Sequence, residues 1–245
     1  MIAALAGAGV ALAIYHSGRT YTEKEPEKRG GYVPASAIQN AIDSTVQIKT
    51  SVDLEEKVFD SSSKVWLGTG LVLQDSQTKD FYVLTAEHVT ADEMYKEKSN
   101  GKTEKVKVHS VKMEINEHEA IVMKEDEKLD IALLKLDQQY TGTYFHRKVA
   151  NQLYPGDYII GVGFPKEEKE DLFIKEIYYG RVQKTTGTLT ILDLTVIGGT
   201  SGSVALRVYD KDLSMAGIVK NTKGITPLED LHSFLKGTPL EDEYL

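Results

Sequence analysis

Short apolar segments separated by turn residues occupy most of the chain after about residue 38. Val111, Met113 and Ile115 alternate with polar residues, and residues 81–84 are rich in β-branched and aromatic side chains. Alternation with a period of two and repeated short segments bounded by turn residues are typical of strands in a barrel or sandwich. The pattern therefore predicts an all-β fold.

Only two helices are predicted within this pattern. One is a short helical turn over residues 91–96. The other spans residues 227–235, where a proline stands at the start and three leucines share one face. The remaining connections carry charges of both signs and fit solvated hairpin loops.

The N-terminus has a different composition. Residues 2–15 carry no charged side chain, and residues 16–37 form a polar linker. As a helix, the fifteen residues 1–15 would span roughly 22 Å, which is short of the ~30 Å hydrocarbon core of a membrane. Residues 1–15 therefore fit a signal peptide or a short membrane anchor. Basic residues follow the segment and do not precede it. A secretory signal prefers the opposite order, and the positive-inside rule would place the remainder in the cytoplasm. We expect membrane association through residues 2–15, with its orientation open.

Composition excludes several classes of protein. The 245 residues include no cysteine, which excludes a disulfide scaffold, thiolate zinc sites and a cysteine nucleophile. The formal net charge of −8 argues against nucleic acid as a partner. His109, His118 and His146 are scattered without the spacing of metal ligands. We therefore expect no metal site and no cofactor.

Three local motifs carry candidate chemistry. Ser201 lies in the glycine-rich segment 198–204, where a tight turn can expose a nucleophile and backbone N–H groups can converge on an anion. His88 follows an apolar strand and has a ring pKa suited to a general base near neutrality. Asp130 leads into the apolar run 131–136, where a carboxylate near the core needs a partner. Taken singly, each residue is also explained by a turn or a strand end.

The order of the three residues is more informative than any one motif. Asp130 follows His88 by 42 residues, and Ser201 follows Asp130 by 71. His, Asp, Ser is the chain order of chymotrypsin-like proteases. The local motifs are Thr-Ala-Glu-His at 85–88, Asp-Ile-Ala-Leu-Leu at 130–134 and Gly-Thr-Ser-Gly-Ser at 199–203. In these features the chain resembles the trypsin/chymotrypsin-like serine peptidases, most closely the cysteine-free bacterial HtrA/Do-type branch.

The resemblance implies an architecture. It covers a protease domain over residues 38–236, with two six-stranded antiparallel β-barrels over about 38–140 and 147–226 and a short C-terminal helix. An N-terminal apolar helix precedes this domain. Residues 237–245 are expected to form a C-terminal tail, too short for a PDZ-like domain.

The resemblance also implies a mechanism. Ser201 attacks a peptide carbonyl, His88 accepts its proton and Asp130 orients the imidazole. The backbone N–H groups of Gly199 and Ser201 would form the oxyanion hole. Glu87 stands where the family has a small residue, and its charge would raise the basicity of His88.

The expected substrate pocket is defined by four residues. Thr195 stands six residues before the serine, at the base of the primary pocket in this family, and Lys220, Asn221 and Thr222 would line its wall. Since Thr195 is not acidic, no strong preference for arginine or lysine is expected. A polar wall with a lysine favours an acidic substrate side chain, but small or aliphatic side chains are equally expected, so the preference stays open.

The sequence thus predicts a serine endopeptidase whose partner is a polypeptide substrate. The alternative is a non-catalytic trypsin-fold binding or scaffold protein, and a third possibility is an esterase or another acyl transferase. The family favours an extracytoplasmic location, either membrane-associated or exported, although the charge pattern leaves the orientation open. The oligomeric state is not predicted.

Overall fold

The structure is a computed structural model. It describes residues 33–58, 61–90, 94–97, 103–106, 108–115, 117–165, 175–187, 189–193, 199–221 and 224–245. The apolar segment 1–15 and residues 16–32 of the predicted linker lie outside these ranges. Within them, no helix is both long enough and apolar enough to cross a membrane.

The N-terminal half of the described chain forms the first barrel. Its elements are α1 (Ala35–Asp43), β1 (Thr45–Val58), β2 (Ser61–Gln74), β3 (Phe81–Thr85), α2 (Glu87–Thr90), β4 (Met94–Glu97), β5 (Thr103–Val106), β6 (Val108–Ile115), β7 (His118–Asp126) and β8 (Ile131–Leu136). Six antiparallel strands close the barrel in the order β1-β2-β3-β8-β7-β6, while β4 and β5 form a separate hairpin.

The C-terminal half forms a second barrel of the same kind. Its elements are β9 (Tyr158–Gly163), β10 (Glu176–Thr185), β11 (Thr190–Leu192), β12 (Val204–Tyr209), β13 (Asp212–Asn221), β14 (Gly224–Ile225), α3 (Leu228–Leu235) and α4 (Glu241–Tyr244). The strands close in the order β10-β11-β14-β13-β12-β9. The predicted fold of two six-stranded antiparallel barrels with a short C-terminal helix is confirmed.

Apolar side chains from both barrels meet in one large core. The first four residues of β8, Ile131 to Leu134, are all fully buried. Leu133 and Leu134 of the first barrel belong to the same apolar cluster as Ile160 and Val162 of the second. Burial on both faces explains why these strands are continuous apolar runs without alternation.

Two expectations about local elements need correction. The predicted helical turn over 91–96 is instead a strand from Met94 onward, and residues 91–93 lie outside the described ranges. The linker does not extend to residue 37, because Val33 is 1% exposed and α1 packs Ala37 and Ile38 into the core. With only nine residues, α1 is too short to give a clear helical period in the sequence.

Residues 237–245 are not a free tail. They contain α4, and Leu240 and Tyr244 are buried. The Tyr244 hydroxyl donates to the Phe145 carbonyl at 2.8 Å and accepts from the Gln74 N–H at 3.0 Å. The C-terminus therefore packs against the first barrel. Gln74 and Tyr244 are 170 residues apart in the chain, so no local sequence pattern reveals this contact.

Candidate active site

His88 lies in α2, the single helical turn that follows β3. The next residue, Val89, is buried, and its carbonyl accepts hydrogen bonds from Thr50 Oγ1 at 2.7 Å and Trp66 Nε1 at 3.0 Å. Two neighbouring strands therefore hold the backbone beside His88. The imidazole itself remains partly open to solvent, with 43% of its side chain exposed.

Asp130 is positioned by the turn before β8. Thr85 of β3 pairs with Ala132 of β8, which places Asp130 level with the start of α2. The backbone of Asp130 has φ +54°, a left-handed conformation that few residues other than glycine adopt. An aspartate tolerates this conformation better than most residues, and here it turns the carboxylate toward His88.

The two side chains are in direct contact. Asp130 Oδ1 lies 2.9 Å from His88 Nδ1 and also accepts a hydrogen bond from the His88 backbone N–H at 3.1 Å. The carboxylate, with 19% of its side chain exposed, is more sheltered than the ring. As an acceptor it selects the tautomer with the proton on Nδ1, which leaves Nε2 able to accept a proton.

The charges around His88 raise its basicity. The hydrogen bond that the ring donates to Asp130 is the largest effect raising the pKa of His88. Burial of the ring opposes it, and the Asp130 and Glu87 charges add to the rise. The positive charge of Lys220 acts in the opposite direction. Burial also raises the pKa of Glu87, followed by repulsion from Asp130 and two neighbouring glutamates. The expected effect of Glu87 on the histidine thus has a physical basis.

Ser201 lies in a tight turn between β11 and β12. Ser203 N–H donates to the Thr200 carbonyl at 3.0 Å and closes the turn. Gly199 has φ +91° and Gly202 has φ +83°. Ser201 is half-buried, whereas Ser203 is fully buried, so only the first of the two serines is reachable from solvent.

Gly202 brings this turn against the strand that leads to His88. A Cβ at this position would lie 2.1 Å from Thr85 Oγ1 and 2.3 Å from the Thr69 carbonyl oxygen. Thr69 N–H in turn donates to the Ser201 carbonyl at 2.8 Å. The serine turn of the second barrel is therefore held against β2 and the end of β3, three residues from His88.

The backbone N–H groups of the turn fall into two sets. Those of Gly202 and Ser203 donate to the Val219 and Thr200 carbonyls. Those of Gly199 and Ser201 donate to no carbonyl among the described residues. Two such donors, two residues apart in a glycine-rich turn, have the composition of an anion-binding nest.

The described residues include no hydrogen bond between the Ser201 hydroxyl and the His88 ring. A contact of this kind commonly tightens only when a substrate binds. The geometry thus joins His88 to Asp130 directly and brings Ser201 to the same region through the backbone.

Comparison with protein families identifies the domain. The model of the trypsin-like peptidase domain matches residues 68–213. This range contains His88, Asp130 and Ser201. The chain belongs to the trypsin-like peptidase domain family. A search of curated proteins found no match to this trypsin-like peptidase.

The predicted pocket residues of this trypsin-like peptidase are placed only in part. Thr195 and Thr222 lie outside the described residues. Lys220 and Asn221 end strand β13, directly after Val219, whose N–H donates to the Ser203 carbonyl at 2.8 Å. The pocket wall predicted from the sequence therefore begins next to the serine turn.

Sequence reasoning missed the residues that hold the candidate catalytic groups in place. Thr69, whose hydroxyl donates to the Gly199 carbonyl, has no local pattern that marks it. The same holds for Thr50 and Trp66, which donate to the Val89 carbonyl beside His88. Across the described ranges, no group of three or more histidine, aspartate or glutamate side chains could hold a metal ion.

Proposed function

We propose that this trypsin-like peptidase is a serine endopeptidase with Ser201 as nucleophile, His88 as general base and Asp130 as the residue that orients the histidine. The observation that carries the proposal is the 2.9 Å contact between His88 Nδ1 and Asp130 Oδ1 beside the turn that carries Ser201. A histidine with one nitrogen fixed by a carboxylate and the other available for a proton is suited to general base catalysis.

The proposed reaction proceeds in two halves. Ser201 Oγ forms a bond to the peptide carbonyl carbon while its proton passes to His88 Nε2. The imidazolium, stabilised by Asp130, then gives this proton to the amine nitrogen as the peptide C–N bond breaks. Water attacks the resulting ester by the same proton transfers and regenerates the Ser201 hydroxyl.

The negative charge that develops on the carbonyl oxygen needs donors. The N–H groups of Gly199 and Ser201 are proposed to supply them, since neither donates to a carbonyl within the described chain. Losing one donor of this kind typically lowers the rate by roughly 10²–10³-fold.

The substrate side chain is proposed to lie between the serine turn and the end of β13. Lys220, Asn221 and Thr222 would line this pocket, with Thr195 at its base. The support is the pair of backbone hydrogen bonds that joins Val219 to Gly202 and Ser203, at 3.1 and 2.8 Å. The half-buried Lys220 follows directly along the chain.

Covalent labelling tests the proposal most directly. A fluorophosphonate forms a stable bond only with an activated serine, so the wild-type protein should be labelled and Ser201→Ala should not. Ser214→Ala is the matched control, because Ser214 is also half-buried but lies in β13 away from the turn. Absence of a Ser201-dependent adduct in folded protein would contradict the proposed function.

One observation favours the alternative of a non-catalytic trypsin-fold binding protein, namely the missing hydrogen bond between Ser201 and His88 within the described chain. The two functions differ in their response to peptide. A binding protein would retain a peptide unchanged without being labelled, whereas the proposed enzyme would cleave it.

A further inference from the structure

Thr69 has an unusual set of partners for a residue outside the proposed triad. It lies in β2 between two glycines and is fully buried. Its hydroxyl donates to the Gly199 carbonyl at 3.0 Å and accepts from the Phe164 N–H at 3.1 Å. A hydroxyl has a single proton, and an N–H can only donate. The Phe164 N–H therefore directs the Thr69 proton toward Gly199.

The backbone of Thr69 makes two more contacts in the same region. Its N–H donates to the Ser201 carbonyl at 2.8 Å, and its carbonyl accepts from Thr85 Oγ1 at 2.8 Å. Thr85 is three residues from His88. One residue of the first barrel thus contacts both ends of the segment 199–201 and the strand that leads to the histidine.

These contacts fix the orientation of particular peptide groups. The Gly199 carbonyl belongs to the peptide between residues 199 and 200, and the Ser201 carbonyl belongs to the peptide between residues 201 and 202. The N–H of Ser201 lies in the peptide between these two, and the N–H of Gly199 lies in the peptide just before them. With no Cβ at position 199, rotation of the peptide between residues 199 and 200 meets little steric resistance. The restraint must come from hydrogen bonds.

We propose that Thr69 is a positioning residue that sets the oxyanion hole, a role that rests on the proposed serine peptidase function. Its hydroxyl and its amide hold the 199–200 and 201–202 peptides so that the N–H groups of Gly199 and Ser201 face the reacting carbonyl. Because the hydroxyl is itself fixed by Phe164 at the end of β9, the arrangement depends on both barrels being docked.

The test compares the loss of the hydroxyl with the loss of a buried hydroxyl elsewhere. Thr69→Val keeps the shape of the side chain and removes both hydrogen bonds of Oγ1. Thr69→Ser retains the hydroxyl. Thr45→Val is the matched control, because buried Thr45 also donates through Oγ1, to the Ala41 carbonyl at 2.7 Å, beside α1 and away from the turn.

Three quantities are measured on the full chain: the melting temperature, the kcat and KM for a peptide ester, and the rate of fluorophosphonate labelling. Thr69→Val should lower kcat and the labelling rate by about 10²–10³-fold, the usual loss for one oxyanion donor. KM and the pH midpoint of activity should stay close to wild type, because the contact of His88 with Asp130 is untouched. Thr69→Ser should restore most of kcat, and Thr45→Val should lower the melting temperature alone.

A merely structural role would give a different pattern. Equal kcat in Thr69→Val and Thr45→Val, or a Thr69→Ser protein as impaired as Thr69→Val, would overturn the inference. If Thr69→Val does not fold, Thr69→Cys takes its place, because a thiol keeps the size of the side chain but donates only weakly. The kcat of Thr69→Cys must then lie below that of Thr69→Ser and of Thr45→Val. A wild-type protein without Ser201-dependent labelling would refute the proposed function itself, whereas normal labelling of the valine variant would refute only the role of Thr69.

Discussion

Replacement of Gly202 by alanine tests how closely the serine turn approaches the first barrel. The new Cβ would lie 2.1 Å from Thr85 Oγ1, 2.3 Å from the Thr69 carbonyl oxygen and 3.0 Å from the Ala86 nitrogen. The Thr85 side chain can rotate, but the Thr69 carbonyl belongs to β2, which pairs with β1, and Ala86 directly follows β3, which pairs with β2 and β8. Neither backbone atom can move without disturbing these strands. The turn must therefore shift away from β2.

Two costs add in this variant. The left-handed backbone at φ +83° costs a residue with a Cβ roughly 1–2 kcal/mol. Crowding of a packed interior adds typically about 1–3 kcal/mol. The free energy of unfolding should therefore fall by about 2–5 kcal/mol.

Gly156 provides the matched control. It has φ +90°, but a Cβ there would meet no atom within 4 Å. Gly156→Ala should therefore show the backbone cost alone, and the difference of about 1–3 kcal/mol between the two variants measures the close contact at Gly202. For a protein of this size the difference corresponds to roughly 2–12 °C in melting temperature.

The assay is equilibrium unfolding in urea, with the melting temperature as a second measure. The slope of free energy against urea should be the same in both variants, since the surface exposed on unfolding does not change. Fluorophosphonate labelling at equal folded fraction should fall only in Gly202→Ala. If Gly202→Ala is no more destabilised than Gly156→Ala, the serine turn does not lie against β2 and the account of the site fails.

Three further outcomes are expected. Asp130→Asn should lower kcat by about 10⁴-fold, the typical loss when a triad carboxylate becomes an amide. It should also lower the pH midpoint of activity. A loss of kcat below tenfold would contradict the proposal that Asp130 orients His88. Lys220→Gln should move the same midpoint upward, because the lysine charge lowers the pKa of His88, and a downward shift in the pH profile of labelling would refute this. Tyr244→Phe leaves the Gln74 N–H and the Phe145 carbonyl without their partner and should cost about 1–3 kcal/mol of stability in urea unfolding; an unchanged midpoint would show that α4 is not packed there.

The sign of the pH dependence follows from the raised pKa of His88. The proposed mechanism requires the neutral imidazole, so the rate should rise with pH through a midpoint above the ordinary pKa of histidine. Stability behaves in the opposite way. The contribution of the charged pair with Asp130 is fully present below the pKa of the unfolded histidine, about 6.5, and is lost as the pH rises through the folded value.

The parts of the fold that were predictable are those with a local signal. The alternation of Val111, Met113 and Ile115 indicated strands, and the motifs around His88, Asp130 and Ser201 each lie within a few consecutive residues. Chain order then linked the three motifs. By contrast, α1 has nine residues and α4 has four, too few for a clear helical period.

Contacts between distant residues account for most of what could not be predicted. The hydroxyl of Thr69 reaches a carbonyl 130 residues away, and the C-terminal Tyr244 bonds to Gln74 at a separation of 170. A threonine between two glycines has the same sequence pattern whether its hydroxyl meets solvent or the serine turn. Only the closure of both barrels and their docking decide its partner.

The docking of the barrels also affects the pKa of His88. Its basicity comes from Asp130 and Glu87, both of the first barrel, while burial of the ring and the Lys220 charge from the second barrel oppose it. Separation of the barrels would remove the lysine charge, and this change acts to raise the pKa of His88. The same separation would remove the hydrogen bond of Thr69 to Gly199. Docking of the barrels therefore brings the Lys220 charge to His88 and the Thr69 hydroxyl to the serine turn together, which couples the proposed general base to the proposed oxyanion hole.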